Sequence, residues 1–167
     1  EKESLYQAKT LEEGLQTMVL SNIGKFAKIF VSAPDSVKDK VKYAAFAMKA
    51  RQVAETFDEI FSELAKEFKV TIVAGSIVLP EPSLDEEGKL NIERGRLYNT
   101  SIVYNPEGKI QSPLVKKIFP IDEEAGFTTS GDKNQVPIFN TPAGKLAVLV
   151  CADSWYPEAY SKLSDDV

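Results

Sequence analysis

The periodicity of one stretch sets the class of fold. Val53, Phe57, Ile60, Phe61, Leu64 and Phe68 recur at helical spacing, and the chain then passes to Val70–Val78, a β-branched run bounded by Pro80. Apolar residues every three or four positions make one face of an amphipathic helix, whereas a compact β-branched run makes a strand covered on both sides. A helix of this kind leading at once into a buried strand predicts an α/β chain whose helix packs on a sheet. Upstream, Pro34-Asp35-Ser36 opens a helical region with Val37, Val41, Ala45 and Met48 on one stripe, bending near Arg51 before the second stripe resumes. Thr10-Leu11-Glu12-Glu13 has the form of a capping box. Leu11, Leu15, Met18 and Val19 follow it at helical spacing and predict a short first helix, with an apolar stretch at Phe26–Val31 between the two helical regions.

Beyond the strand, the polar segment Pro80–Arg96 reads as loop. Leu97–Tyr104 alternates loosely, Asn105-Pro106-Glu107-Gly108 supplies a turn, and Lys109–Phe119 returns as the second arm of a hairpin, with Lys117 near its end. A charged stretch, Pro120–Val136, holds Gly131-Asp132. Strands are then expected at Pro137–Asn140 and Lys145–Val150, either side of the turn Thr141-Pro142-Ala143-Gly144. Cys151-Ala152-Asp153-Ser154 has the polar, helix-starting character of a strand-to-helix elbow. No repeat or polar linker divides residues 1–167, which are expected to form one partial domain, with residues 1–52 the least readily placed. A sheet of this class normally has a strand before its first helix, and the chain stops soon after the elbow. The expectation is an internal piece truncated at both ends.

Composition narrows the chemistry. With 43% hydrophobic and 27% charged side chains the chain can bury a real core. A formal net charge of −5 argues against nucleic acid as a partner, since phosphate backbones are bound by clusters of Lys and Arg. The longest apolar run, Leu146–Ala152, falls far short of the roughly 20 residues of a membrane-spanning helix. Glu1-Lys2-Glu3-Ser4 has neither the basic start nor the apolar middle of a signal peptide, so a cytoplasmic location is expected. One cysteine makes no intrachain disulfide, and a reducing compartment keeps it a thiol. The absence of histidine removes Ser-His-Asp and Cys-His triads, leaving Cys, Lys, Asp, Glu and Tyr for any catalysis. Scattered carboxylates alone make a poor metal site, so no metal and no cofactor are expected.

Cys151, taken alone, reads as a small hydrophobe ending an apolar strand. At a strand end beside the first free N–H groups of a helix, however, its thiolate would be stabilised and could attack a carbonyl or nitrile carbon. Lys117 and Glu124, taken alone, read as solvated surface charges. Their placement changes that reading: Lys116-Lys117-Ile118-Phe119-Pro120 is followed by Asp122-Glu123-Glu124, and the next strand pair leads straight to Cys151.

Several stretches together resemble the nitrilase superfamily of carbon-nitrogen hydrolases. Residues 97–110, Leu-Tyr-Asn-Thr-Ser-Ile-Val-Tyr-Asn-Pro-Glu-Gly-Lys-Ile, are similar to the strand, turn and strand before that family's lysine. Lys117-Ile-Phe-Pro120 resembles the lysine motif, and Glu124 with Gly131-Asp132 is spaced as in members with a supporting glutamate. The most specific stretch is 144–158, Gly-Lys-Leu-Ala-Val-Leu-Val-Cys-Ala-Asp-Ser-Trp-Tyr-Pro-Glu, with its Cys-x-Asp and Tyr-Pro-Glu. The helix and strand from Val53 to Ile77 extend the likeness, which covers most of residues 53–160.

The resemblance implies a four-layer α-β-β-α sandwich and a Glu-Lys-Cys set acting on nonpeptide C–N bonds of a small-molecule amide or nitrile. It implies Cys151 as nucleophile, Lys117 as the charge at the oxyanion, Glu124 as the group orienting lysine or substrate, and a homo-oligomer as the assembly. The general base of the family follows an early strand that has no counterpart here; Glu1 or a residue upstream would fill the role. Cys-Ala-Asp is nearer to amide and carbamoyl hydrolases than to nitrilases with Cys-Trp-Glu. A noncatalytic α/β module of the same fold, or an acyltransferase using the same thioester, would also carry these residues. Trp155 and Tyr156 are expected to pin the elbow helix to the sheet. A truncated sheet exposes strand edges and apolar faces, so the 167 residues expressed alone are expected to aggregate or to lack a sharp, reversible melting transition in calorimetry.

Overall fold

The computed structural model describes residues 8–161 and 163. Thr10 caps α1 (Leu11–Leu20) as expected, its hydroxyl accepting the Glu13 N–H at 3.1 Å. The return bond differs from a capping box, because the Glu13 carboxylate reaches past Thr10 to the Lys9 N–H at 2.8 Å. Phe26–Val31, read only as an apolar stretch, lies within a second helix, α2 (Ile23–Val31).

The two helical stripes expected on either side of Arg51 are one uninterrupted helix, α3 (Lys40–Phe68), of 29 residues. Asp39 caps it by accepting the Lys42 N–H at 3.0 Å, and Lys69 ends it in the left-handed conformation with φ 54°. No Gly or Pro falls inside it, and its many alanines are the strongest helix formers. Those alanines also correct the expected packing face. Ala45 and Met48 of the first expected stripe are buried, together with Tyr43, Ala44, Ala50, Ala54 and Ala65, whereas Val41 of that stripe and Val53, Ile60, Leu64 and Phe68 of the second are exposed. Only Phe57 and Phe61 of the second stripe meet the sheet, packing with Ile72, Leu90, Ile110 and Leu114 around Ala65, Ala74, Ile102 and Tyr104. Small side chains let the helix backbone approach closely, which larger ones on the same face would prevent.

The run Val70–Val78 is not one strand. β1 (Ile72–Val73) ends at Ala74, and β2 (Ile77–Leu84) begins beyond Gly75-Ser76. The segment Pro80–Arg96, expected as loop, instead forms most of a hairpin between β2 and β3 (Leu90–Ser101). Its prolines concealed it, since proline lacks the N–H a ladder needs and belongs on an edge strand. Among the described residues β2 is such an edge, in a sheet where β3 lies between it and the strand Val115–Lys116. The register slips between Pro80, opposite Leu97, and Pro82, opposite Ile92. At the slip Glu81 takes a left-handed φ of 37°, and its carboxylate accepts the Arg96 N–H at 3.1 Å and Nε at 2.9 Å. Burial raises the Glu81 pKa, but the bonds and charge of Arg96 outweigh it and hold the carboxyl below its usual value.

β3 continues past Ile102 into β4 (Val103–Tyr104), which pairs with β1, while β5 (Val115–Lys116) pairs with β3 opposite Thr100 and Ser101. Ala74 links the two small sheets, donating its N–H to Ile102 O at 2.9 Å and accepting the Ser101 hydroxyl at 2.6 Å. The expected turn and return arm are present, and Lys117 directly follows β5. A third pair, β6 (Ile138–Thr141) with β7 (Gly144–Ala147), carries Phe139, Val148 and Val150 into a core with Val103 and Val115. The chain is thus α/β as expected, with its described strands in sheets of two and three. Among the described residues no helix is long and apolar enough to cross a membrane.

The turn before the return arm is held against α3. Gly108, at φ 76°, accepts the Ser62 hydroxyl at 2.6 Å, and a Cβ there would lie 2.5 Å from Ser62 O. Gly108→Ala is therefore expected to destabilise the full-length protein by about 1–3 kcal/mol, read by urea unfolding, through both the clash and the left-handed φ.

Candidate active site

Lys117 leaves β5 with its backbone held on both sides. Its N–H donates to Asn99 O on β3 at 2.8 Å, and its carbonyl accepts the Gly131 N–H at 2.8 Å. Gly131 is needed for that approach, because a Cβ there would lie 2.4 Å from Lys116 O. The side chain turns inward and is only 1% exposed. A buried ammonium costs several kcal/mol unless paired, and here Nζ donates to Glu124 Oε2 at 2.5 Å. Glu124 stands on a single helical turn, α4 (Asp122–Ala125). Its Oε1 accepts Asn99 Nδ2 at 2.8 Å, and its Oε2 also accepts the Ile121 N–H at 3.3 Å. Asn99 thus fixes Lys117 through its backbone and Glu124 through its side chain.

Cys151 is exposed and has a left-handed φ of 52°. For a residue with a Cβ this conformation costs about 1–2 kcal/mol, a kind of strain that turns a side chain outward at a sharp elbow. The ladder of β7 stops at Ala147, and the thiol opens a 3-10 helix, Cys151–Trp155, followed by α5 (Pro157–Tyr160). The elbow expected from sequence is therefore present, but its helix is two short turns, so little dipole is available to the thiol. Asp153, 1% exposed, accepts the Val150 N–H at 3.2 Å within the elbow. It also accepts N–H groups from Ile118 at 3.1 Å and Phe119 at 2.8 Å, in the segment that follows Lys117. Phe119 stacks on Tyr156 with ring centroids 4.0 Å apart. The segments carrying Lys117 and Cys151 are bound to each other at both points. Trp155, expected to pin the elbow, is instead 73% exposed.

The sequence profile of carbon-nitrogen hydrolases matches residues 11–166. The chain belongs to this family. The family match reaches back through the helices before Val53, well beyond the stretches that carried the resemblance in sequence. Among relatives, a probable hydrolase, YhcX of Bacillus subtilis, is 26% identical over 83% of this chain and 24% of its own length. The human omega-amidase NIT2 is 28% identical over 79% of this chain and 45% of its own length. The chain thus spans less than half the length of these relatives. A solved carbon-nitrogen hydrolase from Helicobacter pylori G27 aligns with a TM-score of 0.48 at 20% identity, over 88% of this chain and 50% of that one.

Of the residues singled out from sequence in this member of the carbon-nitrogen hydrolase family, Lys117 and Glu124 form an ion pair, and Cys151 lies on the segment bound to theirs. Glu1 lies outside the described residues. Asn99 was not singled out, although a signal exists: Asn99, Thr100 and Ser101 are polar residues in a strand buried along this length, and such groups need partners. Asp153 was read only as part of Cys-x-Asp, with no partner assigned. Removing the carboxylate leaves the Lys117 ammonium buried and unpaired. Glu124→Ala is expected to cost about 3 kcal/mol in denaturant unfolding of the full-length protein, and Glu124→Gln, which keeps an acceptor, less.

Proposed function

We propose that this chain carries the nucleophile, the cationic partner and the supporting glutamate of a thiol-dependent hydrolase of small-molecule amides. The observation that carries the reading is the buried Lys117–Glu124 pair, on a segment bound to the elbow where the chain's single thiol stands exposed. Family membership supports hydrolysis of a C–N bond. The omega-amidase relative and the Cys-Ala-Asp sequence favour amides over nitriles.

In this reading a glutamate outside the described residues, Glu1 or one in the longer protein, takes the proton of Cys151. The thiolate attacks the carbonyl carbon. Charge that develops on the oxygen meets the Lys117 ammonium and the N–H of Ala152, and a preorganised donor of this kind typically contributes about 3 kcal/mol. Collapse breaks the C–N bond, the amine leaves with the proton, and a thioester to Sγ remains. Water, deprotonated by the same glutamate, then releases the acid and restores the thiol. Glu124 holds Lys117 in place throughout. A reducing compartment such as the cytoplasm would keep Cys151 competent.

Iodoacetamide labelling of the full-length protein across pH, together with a panel of small amides and nitriles, tests this reading. Cys151 is expected to label fast at neutral pH and Lys117→Ala to slow it. Cys151→Ala should abolish turnover, and Lys117→Ala should lower kcat/KM by about 100-fold or more. Labelling with an ordinary thiol midpoint of about 8.5, unchanged by Lys117→Ala, would instead support a noncatalytic module of this fold.

A further inference from the structure

Asp153 carries a buried carboxylate whose two oxygens are both held by backbone N–H groups. Oδ1 accepts from Phe119 at 2.8 Å and from Ile118 at 3.1 Å, while Oδ2 accepts from Ile118 at 3.1 Å and from Val150 at 3.2 Å. The Val150 bond is local and would serve any short helical turn. The other bonds are not local, since they span 34 and 35 residues and end on the two positions directly after Lys117. One carboxylate therefore meets the chain immediately after the lysine and immediately before the cysteine.

We infer that Asp153 is a positioning residue that sets the distance and orientation between Lys117 and Cys151, an inference that rests on the function proposed above. Only a group with acceptors on both sides and no donor fits this place. Asparagine is nearly the same size, but its NH2 would face the N–H of Val150 or of Phe119, donor against donor. Glutamate keeps every acceptor but is one methylene longer, which pushes the two segments apart. Serine or alanine would leave buried N–H groups without partners. The stacked Phe119 and Tyr156 rings add a second contact between the same segments, yet stacked rings slide, whereas charge-assisted bonds of this length are directional.

A purely structural role and a positioning role predict opposite signs in one measurement. The carboxylate lies two residues from the thiol, so neutralising it without moving anything would ease ionisation of Cys151 and lower the pH midpoint of labelling. If Asp153 holds Lys117 in place, Asp153→Asn removes the cation's help to the thiolate, and the midpoint rises, by about one pH unit. The experiment is iodoacetamide labelling of the full-length protein across pH for wild type, Lys117→Ala, Asp153→Asn, Asp153→Glu and the Lys117→Ala/Asp153→Asn double variant, with kcat and KM on the best amide. The inference expects a raised midpoint in Asp153→Asn and no further rise in the double variant, because a misplaced lysine and an absent one act through the same path. It also expects kcat to fall about 100-fold with KM little changed, as for a small misplacement of reacting groups. Asp153→Glu should lie between wild type and Asp153→Asn.

A midpoint that falls or stays in Asp153→Asn, while Lys117→Ala raises it, overturns the positioning role and leaves the proposed function standing. A midpoint that Lys117→Ala does not move overturns the proposed function itself. Should Asp153→Asn fail to fold, Asp153→Glu decides: a folded variant with the wild-type midpoint and kcat contradicts the inference, and a raised midpoint with reduced kcat sustains it.

Discussion

An ammonium group buried almost completely has to be answered by a carboxylate, and much of the local architecture follows from that demand. Lys117 turns into the protein instead of out to water, so Glu124 must reach it. Glu124 does so from one helical turn, its carboxylate also accepting the N–H of the capping residue Ile121, and Asn99 occupies the remaining oxygen. Such an arrangement adds little net stability, because desolvation of the ions consumes most of their attraction. Its effect is to fix an otherwise flexible lysine in a single place, which is the property a preorganised charge requires.

Around the pair, the frame is built from close approaches. Alanines on α3 bring the helix backbone against the sheet, and Ser62 on the same helix holds the Gly108 turn that returns the chain toward Lys117. The Tyr104 hydroxyl donates to Asp58 of that helix at 3.0 Å, and burial followed by the Asp58 charge pushes the phenol well above its ordinary pKa, so it stays a donor. Gly131 packs on the Lys116 backbone where no side chain fits. On the other side, Val148 and Val150 anchor the base of the elbow in the core, which leaves Cys151 as the first residue free of it.

The elements that sequence disclosed were those whose signal is local. The cap at Thr10, the Asn105–Gly108 turn, the β6–β7 pair and the elbow at Cys151 each depend on residues a few positions apart. The hairpin of β2 and β3 was hidden because Pro80 and Pro82 read as breakers, and their tolerance depends on β2 being an edge, which is a property of the sheet. The packing face of α3 was misjudged for a related reason. Hydrophobic periodicity favours the larger side chains, whereas close packing against this sheet selected alanine, leaving Ile60 and Phe68 outside. The long run Val70–Val78 is divided where the strand opposite passes from pairing with β2 to pairing with β1, around Ile102.

Sequence by itself determined the class of fold and, through the family resemblance, the candidate residues Cys151, Lys117 and Glu124, with Lys117 at the end of a hairpin arm and Cys151 after an apolar run. Short motifs carry that resemblance, and a thiol ending an apolar run or a lysine ending a hairpin arm is visible in a window of ten residues. The tertiary structure alone decided that Lys117 is buried and paired, that Asn99 orients its partner, and that Asp153 binds the segment after the lysine to the elbow. These are contacts between groups 7 to 35 positions apart. No local rule specifies them, because a buried charge or N–H takes whichever complementary group the folded chain brings to it.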